Sequence, residues 1–150
     1  MPTRDLPPYF GLGTAHPAPE CHVAYHSSLM AAAWAGLAVG SAQVPGAVLA
    51  GTPDLPGGAG WMTYVRCHDD IGWNVLRPEL ADAGLPGDAF LLRVSEFYAG
   101  RAPGSPALGA SFQTSPTRPV HGTNGMLADL AGLGSAATPG QAQAAADRML

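Results

Sequence analysis

Glycine and proline constrain this chain more than anything else in it: 20 Gly and 15 Pro fall within 150 residues. Glycine loses the most freedom when it is ordered, and proline lacks an amide hydrogen and locks φ. Much of the chain must therefore be loop, which limits the area left for a core of its own. Apolar residues still make up 47% of the chain, enough to build a core and to argue against wholesale disorder. The length suits one ordinary domain, since domains commonly run to roughly 100–150 residues.

Charge narrows the partners. All seven basic residues are arginine, they are scattered, and the formal net charge is −4. A phosphate-tracking surface needs clustered positive charge, so nucleic acid is not an expected partner. Residues 29–50 form the longest weakly polar stretch, but it is Ala- and Gly-rich and broken by Ser41, Gln43 and Pro45. A membrane-spanning helix needs roughly 20 strongly apolar residues, so no membrane partner is expected either. Met1 is followed by Pro2, Arg4 and Asp5 with no apolar signal segment. Cys21 and Cys67 are too few for a disulfide scaffold and read as free thiols, small buried groups in a reducing compartment. A soluble, cytoplasmic chain is the expectation.

Periodicity then places the elements. Residues 20–26 suit a strand, Ser27 and Ser28 offer N-cap hydroxyls, and a helix follows to Gly40. In that helix Leu29, Ala33 and Leu37, with Met30, Trp34 and Ala38, recur at spacings of four and mark the apolar face. Residues 41–60 read as loop, and 61–67, with Trp, Thr, Tyr and Val, as the best strand in the chain. Strand, helix, loop, strand is the order of a parallel α/β sheet. Further on, Asp88 is placed to cap a helix with Phe90, Val94 and Phe97 on one face and Gly100 at its end. Residues 100–119 read as loop. Thr123 or Asn124 opens a helix carrying Met126, Leu127, Leu130 and Leu133. Thr138, Pro139 and Gln141 combine an N-cap, an N1 proline and a capping box. Trp34, Phe90 and Phe97 are candidate core residues, and His16 and His121 are given no role.

Chemistry concentrates in the string Tyr64-Val65-Arg66-Cys67-His68-Asp69-Asp70-Ile71-Gly72-Trp73. An apolar strand running into His-Asp-Asp sets polar groups at its C-terminal end, the edge at which parallel α/β folds bind ligands. Adjacent acids repel, so the pair calls for a cation, an arginine or a polyhydroxylated substrate beside it. Arg66, just upstream, is one candidate partner for Asp69 or Asp70. Cys21, His22 and His26 raise a second possibility, a metal site completed by Cys67, His68 or Asp69, though without the spaced Cys pairs of a zinc motif.

The string resembles the seventh-strand motif of the α-amylase superfamily, glycoside hydrolase family 13, and within it the amylosucrase-like members. Glu20-Cys21-His22 through Tyr25, then Ser28-Leu29-Met30 and Trp34, resemble their sixth strand and following helix. Phe112-Gln113, Gly122-Thr123 and Leu127 to Leu133 resemble the end of the insertion after the seventh strand. The resemblance implies a fragment of a (β/α)8 TIM barrel: two parallel strands with helices, then a helical, loop-rich insertion. Residues 1–74 would be the barrel segment, 75–122 the insertion, and 123–150 helices returning to the barrel.

It further implies a retaining α-glucosidic enzyme, a hydrolase or glucosyltransferase acting on sucrose or an α-glucan, without a cofactor or metal. Asp69 would be the acid that steadies the oxocarbenium-like transition state, and His68 would donate to the sugar at the scission site. Asp70 matches the second acid of the amylosucrase-type motif on the acceptor side, and Arg118 lies near an acceptor-side Arg. Trp73 would either stack on a sugar ring or pack in the core. Retaining chemistry needs two carboxyl groups roughly 5–5.5 Å apart, and the nucleophile and acid/base of this family lie on earlier strands. A non-catalytic, carbohydrate-binding or inert remnant is the alternative from another class, and a small metalloprotein the third.

Overall fold

The computed structural model describes residues 1–10, 21–117 and 120–150. Strand β1 (Val23–Tyr25) leads into helix α1 (Ser27–Val39), then α2 (Gln43–Ala50), then β2 (Gly60–Met62). The two strands pair in parallel, Val23 opposite Gly60 and Tyr25 opposite Met62. The expected parallel strand–helix–strand order is present. Its second strand is shorter than 61–67, because β1 gives way to α1 at His26 and leaves residues beyond Met62 without a ladder partner. β-Propensity expresses itself only where a neighbouring strand accepts the hydrogen bonds.

Helix α1 ends where Gly40 adopts a left-handed φ of 69° and its N–H returns to the Gly36 carbonyl. Its N-terminus differs from the expectation. The His26 imidazole, not Ser27 or Ser28, accepts from the Leu29 N–H at 3.1 Å. Ser28 is buried and exchanges bonds with Thr3, accepting from the Thr3 N–H and presenting its own N–H to Thr3 Oγ1. The buried face is also rotated: Met30, Ala31, Ala32, Trp34 and Ala35 are enclosed, while Ala33 and Leu37 face outward. Small residues on two flanks let α1 pack against both α2 and the later helices. A helix enclosed on two sides shows no single apolar stripe.

After β2 come β3 (Ile71–Gly72), a 3-10 turn (Trp73–Leu76), α3 (Arg77–Asp82) and α4 (Gly87–Tyr98). Asp88 lies in the first turn of α4 without capping it and pairs with Arg77 at 2.8 Å. The innermost residues of α4 are Leu91, Val94 and Tyr98, one position on from the expected Phe90 and Phe97, which are half-buried. Strands β4 (Ala110–Phe112) and β5 (Gly122–Asn124) form an antiparallel sheet with β3, in the order β3-β5-β4. Residues 110–112 are thus not loop and Thr123 does not open a helix. Segments of two or three residues carry no readable period, and only pairing reveals them.

Helices α5 (Leu127–Ala131) and α6 (Pro139–Asp147) close the chain. Leu130 is buried, but Met126 is 73% exposed and lies outside the expected apolar face. The capping box at Thr138 and Gln141 is present with both of its bonds. One buried cluster runs through Trp34, Val44, Ile71, Trp73, Leu80, Leu91, Tyr98 and Leu130. Tyr98 is its hinge: its hydroxyl donates to the Trp34 carbonyl and its ring stacks on Trp73 with centroids 5.6 Å apart. Burial pushes the Tyr98 phenol well above its ordinary value, so it remains a donor. Among the described residues no helix is long and apolar enough to cross a membrane.

Candidate functional site

The acid loop is held at both ends. Before it, the Val65 carbonyl accepts from the buried Trp34 indole at 2.7 Å. After it, Ile71 is fully buried and pairs with Thr123 of β5. Between these fixed points the chain bows outward. The His68 and Asp69 side chains are 92% and 75% exposed, with His68 Nε2 3.4 Å from Asp69 Oδ1. Asp69 and Asp70 then line a cleft of about 230 Å³ shared with Ser27, Tyr64 and Cys67.

The cleft has hydroxyl groups as well as acids. Tyr64 Oη lies 3.2 Å from Ser27 Oγ, one group at the exit of β2 and the other at the first turn of α1. Burial pushes the Tyr64 phenol above its ordinary value, with the Ser27 bond acting against it. The cleft therefore presents hydroxyls beside carboxylates. That combination suits a polyhydroxylated ligand, which can both donate and accept. Sequence reasoning gave Ser27 a capping role and Tyr64 a place in the strand. Nothing in their spacing, 37 residues apart, shows that the two hydroxyls meet.

The remaining candidates divide. Trp73 is fully buried: its ring stacks on Tyr98 and its indole N–H donates to Thr123 Oγ1 at 2.9 Å. It has no exposed face for a sugar, so of its two readings the packing one is the correct one. Arg118 lies outside the described residues. Among the described residues Arg66 takes none of the ion pairs expected of it and donates only to backbone carbonyls. Its Nε reaches the Gly125 carbonyl at 3.0 Å, and its Nη1 reaches those of Cys67 and Asp69.

The metal reading finds no support in the geometry. Among the described residues no group of three or more His, Cys, Asp and Glu stands close enough to hold a metal ion. The Cys21 thiol donates to the Tyr9 carbonyl at 3.3 Å. His26 is a 2% exposed structural group. Its Nδ1 accepts from Leu29 N–H, which leaves the ring proton on Nε2, 2.8 Å from Thr52 Oγ1. The Thr52 hydroxyl in turn donates to the Val48 carbonyl at 2.7 Å, so the imidazole ties the start of α1 to the end of α2. Burial holds it below its ordinary pKa, with a backbone hydrogen bond and the Glu79 charge pulling the other way.

In chemical terms, two carboxylates at an open cleft can accept hydrogen bonds from sugar hydroxyls. An exposed carboxylate in water stabilises a cation weakly, because the solvent screens it. Asp69 can steady developing positive charge only when a bound ligand and covering groups exclude water. A search against protein-family models finds none that matches this chain.

Proposed function

We propose that the His68–Asp70 loop is the sugar-contacting element of an amylosucrase-like α-glucosidic enzyme, a retaining hydrolase or glucosyltransferase on a (β/α)8 barrel. In this reading residues 1–74 are barrel segment. Asp69 steadies the oxocarbenium-like transition state, His68 donates to the glucosyl ring, and Asp70 faces the acceptor. Nucleophile and acid/base come from other strands of the intact enzyme, because one carboxylate cannot both attack and shuttle the proton. Arg118 stays a candidate acceptor-side group on resemblance alone.

The observation that supports this reading best is positional. Both acids stand beyond the C-terminal end of β2, a strand paired in parallel with β1, and line a cleft with two hydroxyls. Parallel α/β architectures place their ligands at that edge, where loops leaving the strands form the crevice. Asp69→Asn keeps the shape and removes the charge. In the intact enzyme it lowers turnover on sucrose or an α-glucan by orders of magnitude, with the circular dichroism spectrum unchanged. Near-unchanged turnover would remove Asp69 from the mechanism.

A further inference from the structure

Arg66 stands where an acid-paired arginine was expected and does something else. A half-buried guanidinium that is in none of the ion pairs among the described residues is costly to leave idle. Here it is occupied by three main-chain oxygens, of Cys67, Asp69 and Gly125. Two of the three belong to the loop that carries the acids. The third belongs to the link between β5 and α5, 59 residues away in sequence.

That link is tightly packed. A Cβ on Gly125 would come within 2.6 Å of Leu130 Cδ2 and 3.3 Å of Gly109 Cα, so the backbone there is packed against buried structure. Gly109 is in turn fixed through its N–H to the Tyr98 carbonyl at 2.9 Å. Arg66 therefore links the exposed loop to the core that Tyr98 organises. Its planar fork is preorganised, so donors in fixed directions set the directions of the carbonyls they meet. Turning the Cys67 and Asp69 carbonyls toward one guanidinium curls residues 67–69 around it. The intervening His68 side chain is then 92% exposed.

We infer that Arg66 is a positioning residue: it sets the backbone conformation of the Cys67–Asp70 loop, and through it the direction of the Asp69 and Asp70 carboxylates. The consequence for ligand binding rests on the sugar-contacting reading above; the consequence for the loop does not. Lysine cannot replace it, since one ammonium on a flexible stem lacks the fork geometry that serves three carbonyls at once.

The test uses the whole chain labelled with ¹⁵N, and compares the parent with Arg66→Lys and Arg66→Gln. Backbone order parameters are measured throughout, and methyl α-D-glucopyranoside is titrated as the probe. In the parent, residues 67–70 should show order parameters near those of rigid backbone, about 0.85. In both variants they should fall toward flexible values, below about 0.6, while α1 and α4 stay unchanged. Glucoside affinity should fall at least tenfold in parallel. Arg66→Lys keeps the charge, so it carries the test if Arg66→Gln does not fold. Unchanged order at 67–70 in Arg66→Lys overturns the inference. So does a uniform loss of order across the chain, which would make Arg66 a general stabiliser. A loosened loop in a chain whose parent does not bind the glucoside supports the positioning role and counts against the sugar reading.

Discussion

Trp73 offers the sharpest test of the assignment of its ring to the core. Its indole N–H and Thr123 Oγ1 meet at 2.9 Å, and both residues are 0% exposed. Trp73→Phe removes the donor and part of the ring. A void of roughly 40 Å³ at about 24 cal/mol per Å³ costs about 1 kcal/mol. Leaving the Thr123 hydroxyl without its buried donor adds about 1–3 kcal/mol. The sum is a loss of about 2–4 kcal/mol, a large share of the roughly 5–15 kcal/mol that holds most domains folded. Thr123→Val, which keeps the shape but orphans the indole N–H, should cost about 1–3 kcal/mol alone. The double variant should cost less than the sum of the two by about 1 kcal/mol or more, because the second change strands no further group. Urea unfolding followed at 222 nm, with the four proteins compared at equal m-value, reads each number. A Trp73→Phe variant within about 0.5 kcal/mol of the parent, with weakened glucoside affinity, would refute the core assignment and return Trp73 to the cleft.

Two further outcomes follow from the packing. Lowering the pH from 7 toward 5 should destabilise the protein through His26, whose folded pKa burial holds below its ordinary value. Below about 6.5 the unfolded chain takes up a proton that the folded ring refuses, so stability falls by up to about 1.4 kcal/mol per pH unit until the folded value is reached. Urea midpoints across that range check the sign, and a rise in stability on acidification would contradict the neutral, Leu29-capping imidazole. Gly109→Ala should prevent folding or cost more than about 3 kcal/mol. Its Cβ would sit 2.5 Å from the Tyr98 carbonyl oxygen and 2.9 Å from that of Asn124, and backbone atoms cannot rotate away. A cooperative thermal transition within a few degrees of the parent would show that the β4–β5 region is looser than this packing implies.

Local chemistry was legible wherever it acts within a turn or two of helix. The capping box at Thr138 and Gln141 and the left-handed stop at Gly40 depend on neighbours a few residues away, and both stand where the residues place them. The same holds for the parallel order of β1, α1 and β2, which needs only two strands separated by a helix. Helix α2 escaped notice because residues 43–50 carry Pro45 and Gly46 near its start and bury only Val44 and Val48. Strands β3, β4 and β5 escaped because two or three residues show no alternation.

The candidate site divides along the same line. That His68, Asp69 and Asp70 stand together follows from their adjacency alone, which needs no folding; the strand expected to deliver them ends earlier, at Met62. What surrounds them came from packing in three dimensions. It brought the Ser27 and Tyr64 hydroxyls into one cleft, turned Arg66 onto backbone carbonyls and closed Trp73 into the core. It also made His26, rather than a serine, the cap of α1. A side chain's partner is set by which groups are left unsatisfied once the core has packed, and those groups lie tens of residues apart. A buried N–H or hydroxyl must find an acceptor or donor among whatever the packing brings near. That choice is made in space, after the elements have formed, and leaves no trace in the spacing of the residues that make it.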